Sequence, residues 1–125
     1  MLANRNAMAT IAVKDLATAK KFYEGKLGLT PLEAAEEGVL TYQSGTATLL
    51  VYVSAFAGTN KATSATWGVG DEFDNIMKTL KAKGVVFEHY DLPGMKREGD
   101  VHVTGDFKAA WFKDPDGNIL HIFNQ

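Results

Sequence analysis

The chain has three histidines and no cysteine. Imidazole is therefore its natural acid–base group near neutral pH, and disulfides, zinc–thiolate sites and thiol catalysis are excluded. His121 lies in the middle of NILHIFN, close to the C-terminal end. It reads either as a general base or ligand contact in a pocket, or as a hydrogen-bonded core histidine. His89, in VVFEHYDLP, reads as a surface or rim residue, and His102, in VHV, as a pocket wall or rim hydrogen-bonder. Tyr52 is either cavity lining, with its hydroxyl at a ligand, or a core tyrosine. Trp67 and Trp111 read as packing residues, with Trp111 the nearer to a ligand. Asp114 and Asp116 resemble an acid pair, but their spacing with Pro115 and Gly117 spells a turn. AGTNKAT lacks the GK[ST] ending and the strand-to-helix setting of a phosphate loop.

Two elements position His121. The segment AAWFKDPDGNILHIFNQ places apolar runs on both sides of that turn, which predicts antiparallel strands over Ala109–Lys113 and Asn118–Asn124. A strand so near the end has to pair inside a sheet to carry a side chain into a central pocket. The second element is an echo. VKDLATAKKFYEGKLGL and VGDEFDNIMKTLKAKGV repeat one pattern, with Val13/Val69, Asp15/Asp71 and Gly28/Gly84 in corresponding places. Each copy reads as strand, capped helix, glycine stop and strand. Asp15 and Asp71 are the expected N-caps, and Gly84 the expected helix stop. Leu16, Ala19, Tyr23 and Leu27 share one face of the first helix, and Phe73, Ile76, Met77 and Leu80 one face of the second.

The coarse reading gives strands near Ala7–Val13, Thr30–Ala34, Gly38–Tyr42 and Thr46–Val53, with a helix over Leu16–Gly25. It then gives strands near Ser64–Val69, Val85–Tyr90, Val101–Thr104, Lys108–Lys113 and Asn118–Phe123, with a helix over Glu72–Lys83. Ser54–Thr63 and Leu92–Asp100 read as loops. The 125 residues fit one domain over 1–125, with modules at about 7–54 and 63–125. A hydrophobic share of 46% argues against disorder. A net charge of -2 without a basic run argues against nucleic acid as a partner. No apolar stretch is long enough to cross a membrane, and MLANRNAMAT lacks the apolar core of a signal peptide. A cytoplasmic location is the expectation.

IAVKDLATAKKFYEGKLGL, followed by GV-F-E and AWFKDPDGNIL in order, resembles the vicinal oxygen chelate superfamily. That superfamily includes glyoxalase I, bleomycin- and fosfomycin-resistance proteins and extradiol dioxygenases. The resemblance covers nearly the whole chain and implies an α+β fold. Two βαβββ modules would form one curved, partly open mixed sheet with helices on the convex side, and the chains would pair as a homodimer. Alternation then puts Ala9, Ile11, Val13, Leu49, Val51, Val53, Ala65, Trp67 and Val69 on the helix side. Met8, Thr10, Leu50, Tyr52, Ser64, Thr66, His121 and Phe123 face the cavity, with His102 and Trp111 at its wall. Metal-using members place ligands at four positions, which fall here on Met8, Ser64, a position near Leu50, and His121. One good donor of four does not suit Mg²⁺, Fe²⁺ or Zn²⁺. The resemblance therefore implies a protein that binds a small organic molecule in an apolar cavity without a metal cofactor, with His121 as its one catalytic candidate. The alternative is a metal-dependent lyase or dioxygenase with unusual ligands, His102 with His121 among them.

Overall fold

A computed structural model describes residues 1–33 and 37–125; Ala34, where the second strand was expected to end, lies outside them. Strand β1 spans Ala9–Val13, and Ile11 and Val13 are fully buried beneath the helices. Asp15 then caps α1 (Leu16–Lys20) as expected: its carboxylate accepts from the Thr18 amide at 2.9 Å and the Thr18 hydroxyl at 2.6 Å. The helix does not stay α to Gly25. It widens into a π-helical turn over Lys21–Lys26, with the Leu27 amide bonding Phe22 O at 3.0 Å. The wide turn sits where Phe22 and Tyr23 both enter the core and Glu24 accepts from the Tyr42 hydroxyl at 2.8 Å.

Strands β2 (Thr30–Leu32), β3 (Val39–Ser44) and β4 (Ala47–Val53) complete the first repeat. The second opens with β5 (Thr63–Gly68) and α2 (Phe73–Ala82). Phe73, Met77 and Leu80 are buried along one face of α2. Asp71 does not cap it. Gly70, at φ +54°, starts a 3₁₀ turn over Gly70–Glu72, so the α-helix begins after Glu72 with no side-chain cap. The stop is as expected: Gly84 has φ +87°, and the amides of Val85 and Gly84 bond Leu80 O and Lys81 O.

The remaining strands are β6 (Phe87–Glu88), β7 (Lys96–Glu98), β8 (Val101–Thr104), β9 (Phe107–Lys113) and β10 (Ile119–Phe123). β7 lies inside the stretch expected to be a loop. Its exposed, charged side chains hide it from periodicity, and it exists because it pairs with β8. The fold is thus α+β, with strand orders β1-β4-β3-β2 and β5-β10-β9-β8-β7. β6 also pairs with β9, at its Trp111–Phe112 end, while β8 takes the Phe107–Ala109 stretch of the same edge. The two sheets meet where β1 approaches β5, but no ladder joins those strands. They are two mixed sheets rather than one continuous curve.

The last hairpin fastens the halves together. Asp114, nearly buried, accepts from the Tyr23 hydroxyl at 2.7 Å, Asn118 Nδ2 at 2.8 Å, and the amides of Asp116 and Asn118 at 2.9 Å. Asn118 Nδ2 also donates to Ala12 O at 2.7 Å, and the Lys14 amide donates to Asp116 at 3.2 Å. Burial and Asp114 push the Tyr23 phenol well above its usual range, so it stays a donor. Gly58 packs against this turn so closely that a Cβ there would stand 1.9 Å from Asp116 O. The core runs through both repeats, from Ile11 and Val51 to Phe112 and Leu120. Ala9 and Val53, expected beneath the helices, are instead exposed, each at the end of its strand.

Candidate functional site

The centre of each sheet's face turned away from the helices is a row of three side chains, one per strand. In the first repeat Leu50 pairs with Thr10 of β1 and Thr41 of β3. In the second, His121 pairs with Thr66 of β5 and Trp111 of β9. Leu50 and His121 are therefore the same position of the repeat.

His121 is half-buried, because β10 runs between two neighbours and its ring lies among others. The imidazole stacks on Trp111 (centroids 4.5 Å, 17° between planes) and on Phe123 (5.6 Å, 6°). Its Nδ1 is 3.2 Å from the Thr66 hydroxyl. Its Nε2 is buried without a partner among the described residues. Burial pushes the imidazole below its usual pKa, so the ring is neutral at pH 7 and offers either a lone pair or an N–H at that bare nitrogen.

Two further groups surround Trp111. His102 is 1% exposed, a buried residue rather than a rim one, and it meets Trp111 edge-on at 4.9 Å. Its Nε2 accepts from the Tyr90 amide at 2.9 Å, across the gap between β6 and β8. That bond fixes the proton on Nδ1, which has no partner among the described residues. Tyr90 packs edge-on to Trp111 at 5.6 Å, and its hydroxyl is also buried and unpartnered. Burial, then the charge of Glu88, raise its pKa. Sequence reasoning passed over Tyr90, although it shares strand parity with Glu88, which pairs with Trp111. The Trp111 indole N–H donates to Thr63 at 3.3 Å, beside a cavity of about 340 Å³ lined by Lys61, Thr63, Tyr90, Trp111 and Ile119.

The first repeat's face is more open. Met8 is 50% and Tyr52 37% exposed, Thr10 is exposed and donates to Met8 O, and Leu50 is half-buried. Ser64 is half-buried on β5. The structure thus unites Thr66, His102, Trp111, His121 and Phe123, and separately Thr10, Leu50 and Tyr52. No hydrogen bond or ring contact joins the two groups among the described residues. His89 is a surface residue, between Asp100 (2.7 Å) and Arg97 (2.8 Å). Trp67 lies on the helix side, donating to Ser44 at 2.8 Å.

The donor set does not fit a divalent metal. The four positions that the sequence resemblance would give to metal ligands hold a thioether, a hydrocarbon, a hydroxyl and one imidazole, and no three His, Asp or Glu side chains gather among the described residues.

The sequence matches the model of the Glyoxalase/Bleomycin resistance protein/Dioxygenase superfamily over residues 5–122. A search of curated proteins finds no match. Among solved structures, a glyoxalase/bleomycin resistance protein/dioxygenase from Alicyclobacillus acidocaldarius is 24% identical, with TM-score 0.71 over 96% of this chain and 90% of that one. A glyoxalase family protein from Enterococcus faecalis is 18% identical, with TM-score 0.72 over 98% and 99%. The fosfomycin resistance protein FosX from Listeria monocytogenes, solved with Mn(II) and sulfate, is 16% identical, with TM-score 0.70 over 95% and 88%. At these identities the neighbours speak for the fold, and the family match covers nearly all of the sequence: the chain belongs to the glyoxalase/bleomycin resistance protein/dioxygenase superfamily.

Proposed function

We propose that this chain binds a small, planar, mostly apolar organic molecule on the face of its second sheet turned away from the helices, without a divalent metal. The observation that carries this reading is the bare, buried Nε2 of His121, framed by the Trp111 and Phe123 rings. A buried polar atom without a partner is costly, so a ligand group that pairs with it gains the bond and removes the cost. Tyr90 and His102 add two more unpartnered groups around the same indole. The rings supply stacking surface, and the polar atoms orient the guest. A neutral imidazole is also chemically able to take a proton from an acidic guest, which is the metal-free route to catalysis here. The open face with Met8, Leu32 and Tyr52 supports the further reading that a second copy covers it in a homodimer.

Trp111 makes the test direct. In a Trp67→Phe background, a panel of small phenols and heteroaromatics should quench the remaining tryptophan saturably. His121→Ala should weaken that binding about tenfold or more, the worth of one buried hydrogen bond. Equal affinity in the variant would sink the assignment. Stoichiometric zinc, iron, nickel or manganese retained through dialysis would replace it with a metal enzyme of unusual ligands.

A further inference from the structure

A second cleft lies on the opposite, helix-bearing side, at the seam between the repeats. It holds about 330 Å³, within the size range of small-molecule sites. Leu27 and Leu29 wall it from the first repeat, Trp67, Ile76 and Leu80 from the second, and the buried Phe112 ring lies at its floor. Two lysines of the lining cross the seam in opposite directions. Lys83 donates to Gly25 O at 3.2 Å, and Lys26 Nζ lies 3.8 Å from where a Cβ on Gly84 would stand. Neither forms an ion pair among the described residues, so each ammonium has donors available. The site therefore couples an apolar slot to two lysines with donors to spare.

We infer that this cleft takes a small amphipathic monoanion, a single alkyl or aryl chain ending in a carboxylate, with the carboxylate at the lysine-bearing part of the lining. The apolar walls exclude a highly polar guest, since burying its groups unpaired is unfavourable. Two ammonium groups favour an anionic head over a neutral one. The volume suits one short chain. Because Leu29 and Ser44 belong to one repeat and Trp67 and Ile76 to the other, such a guest would also bridge the halves.

The two tryptophans separate this site from the one proposed above: Trp67 lines the cleft and Trp111 the other face. In a Trp111→Phe variant, Trp67 emission should respond saturably to octanoate, and about tenfold more weakly to octanol, which lacks the charge. Affinity should rise about fourfold per methylene from hexanoate to octanoate. Lys26→Gln with Lys83→Gln should bring octanoate down to the octanol level; both side chains are partly solvated, so the fold should persist. Equal binding of octanoate and octanol, no effect of the lysine substitutions, or no Trp67 response at millimolar octanoate would overturn the inference. So would Trp67 emission that depends on protein concentration and not on octanoate, which would assign the cleft to a second copy of the chain.

Discussion

Thr10, Leu50 and Thr41 stand side by side at the centre of the first sheet's open face; Thr66, His121 and Trp111 hold the same three places in the second. The ladders at these rows are equivalent, although β10 carries a register shift against β5 at Ile119/Leu120, and on the helix side Ile11 and Val51 answer Trp67 and Ile122. What differs is the face turned away from the helices. One is aliphatic and hydroxylic at its centre, with the Tyr52 ring beside it, and none of its side-chain polar atoms is buried without a partner among the described residues. The other is aromatic, with two imidazoles and a phenol whose buried atoms lack partners. A duplicated fold has to keep its packed side to remain folded, while the open side is free to change. Function here is therefore to be sought in the difference between the repeats rather than in what they share.

The hairpin turns differ even more. Ser44–Ala47 of the first repeat carries two side-chain bonds among the described residues, Gln43 Nε2 donating to Gly45 O and Ser44 Oγ accepting from the Trp67 indole N–H. The second turn is the Asp114 clamp. Asp114→Ala should orphan the buried Tyr23 hydroxyl and the Asn118 amide together. We expect a loss of about 3–5 kcal/mol in urea unfolding, several hydrogen bonds to a charged group. Gln43→Ala, beside the first turn, should stay within about 0.5 kcal/mol. Similar losses in the two variants would erase the contrast. Gly58→Ala, which drives a Cβ into Asp116 O at a φ of +75°, should also destabilise the clamp, by about 2 kcal/mol or more.

Exchanging the central residues sharpens the comparison of the two faces. His121→Leu gives the second repeat the residue of the first. It should abolish binding of the quenching ligands while leaving the urea midpoint unchanged or slightly raised, because an unpartnered polar atom is removed. Leu50→His makes the opposite change. Without flanking rings the new imidazole should add no binding, and loss of leucine packing should cost about 1 kcal/mol. Ligand binding gained by Leu50→His would mean that the ring frame is dispensable.

The sequence made the local chemistry legible. Asp15 as a cap, Gly84 as a stop, the Asp114–Gly117 turn and the apolar face of α2 each rest on residues within a few positions of one another. The β10 alternation likewise put His121 and Phe123 on one face. What stayed hidden depends on distant pairing. Tyr23 meets Asp114 across the fold, β6 and β8 share one edge of β9, and Tyr90 reaches Trp111 only through that arrangement. The Asp71 cap failed because Gly70 adopts a positive φ and turns the chain early, which the echo with the first repeat concealed. The cleft of Lys26 and Lys83 lies between the repeats, so neither copy of the pattern contains it.

The smallest effect expected is on pH. Burial holds the folded pKa of His121 below its usual 6.5, whereas the unfolded chain has nothing to lower it. Between those two values the unfolded state binds more protons than the folded one, so stability rises with pH there. His121 thus contributes full stability above its unfolded pKa and loses it as pH falls below about 6.5. Leu50, at the equivalent place, contributes no such slope. The difference in urea stability between the wild type and His121→Leu, followed from pH 7.5 down to 5, isolates this group because other titrations cancel. Wild type should lose stability relative to the variant on acidification. The opposite sign would mean that the Trp111 and Phe123 faces attract an imidazolium more strongly than burial opposes it. The site would then select an anionic guest against a charged His121 instead of a neutral one.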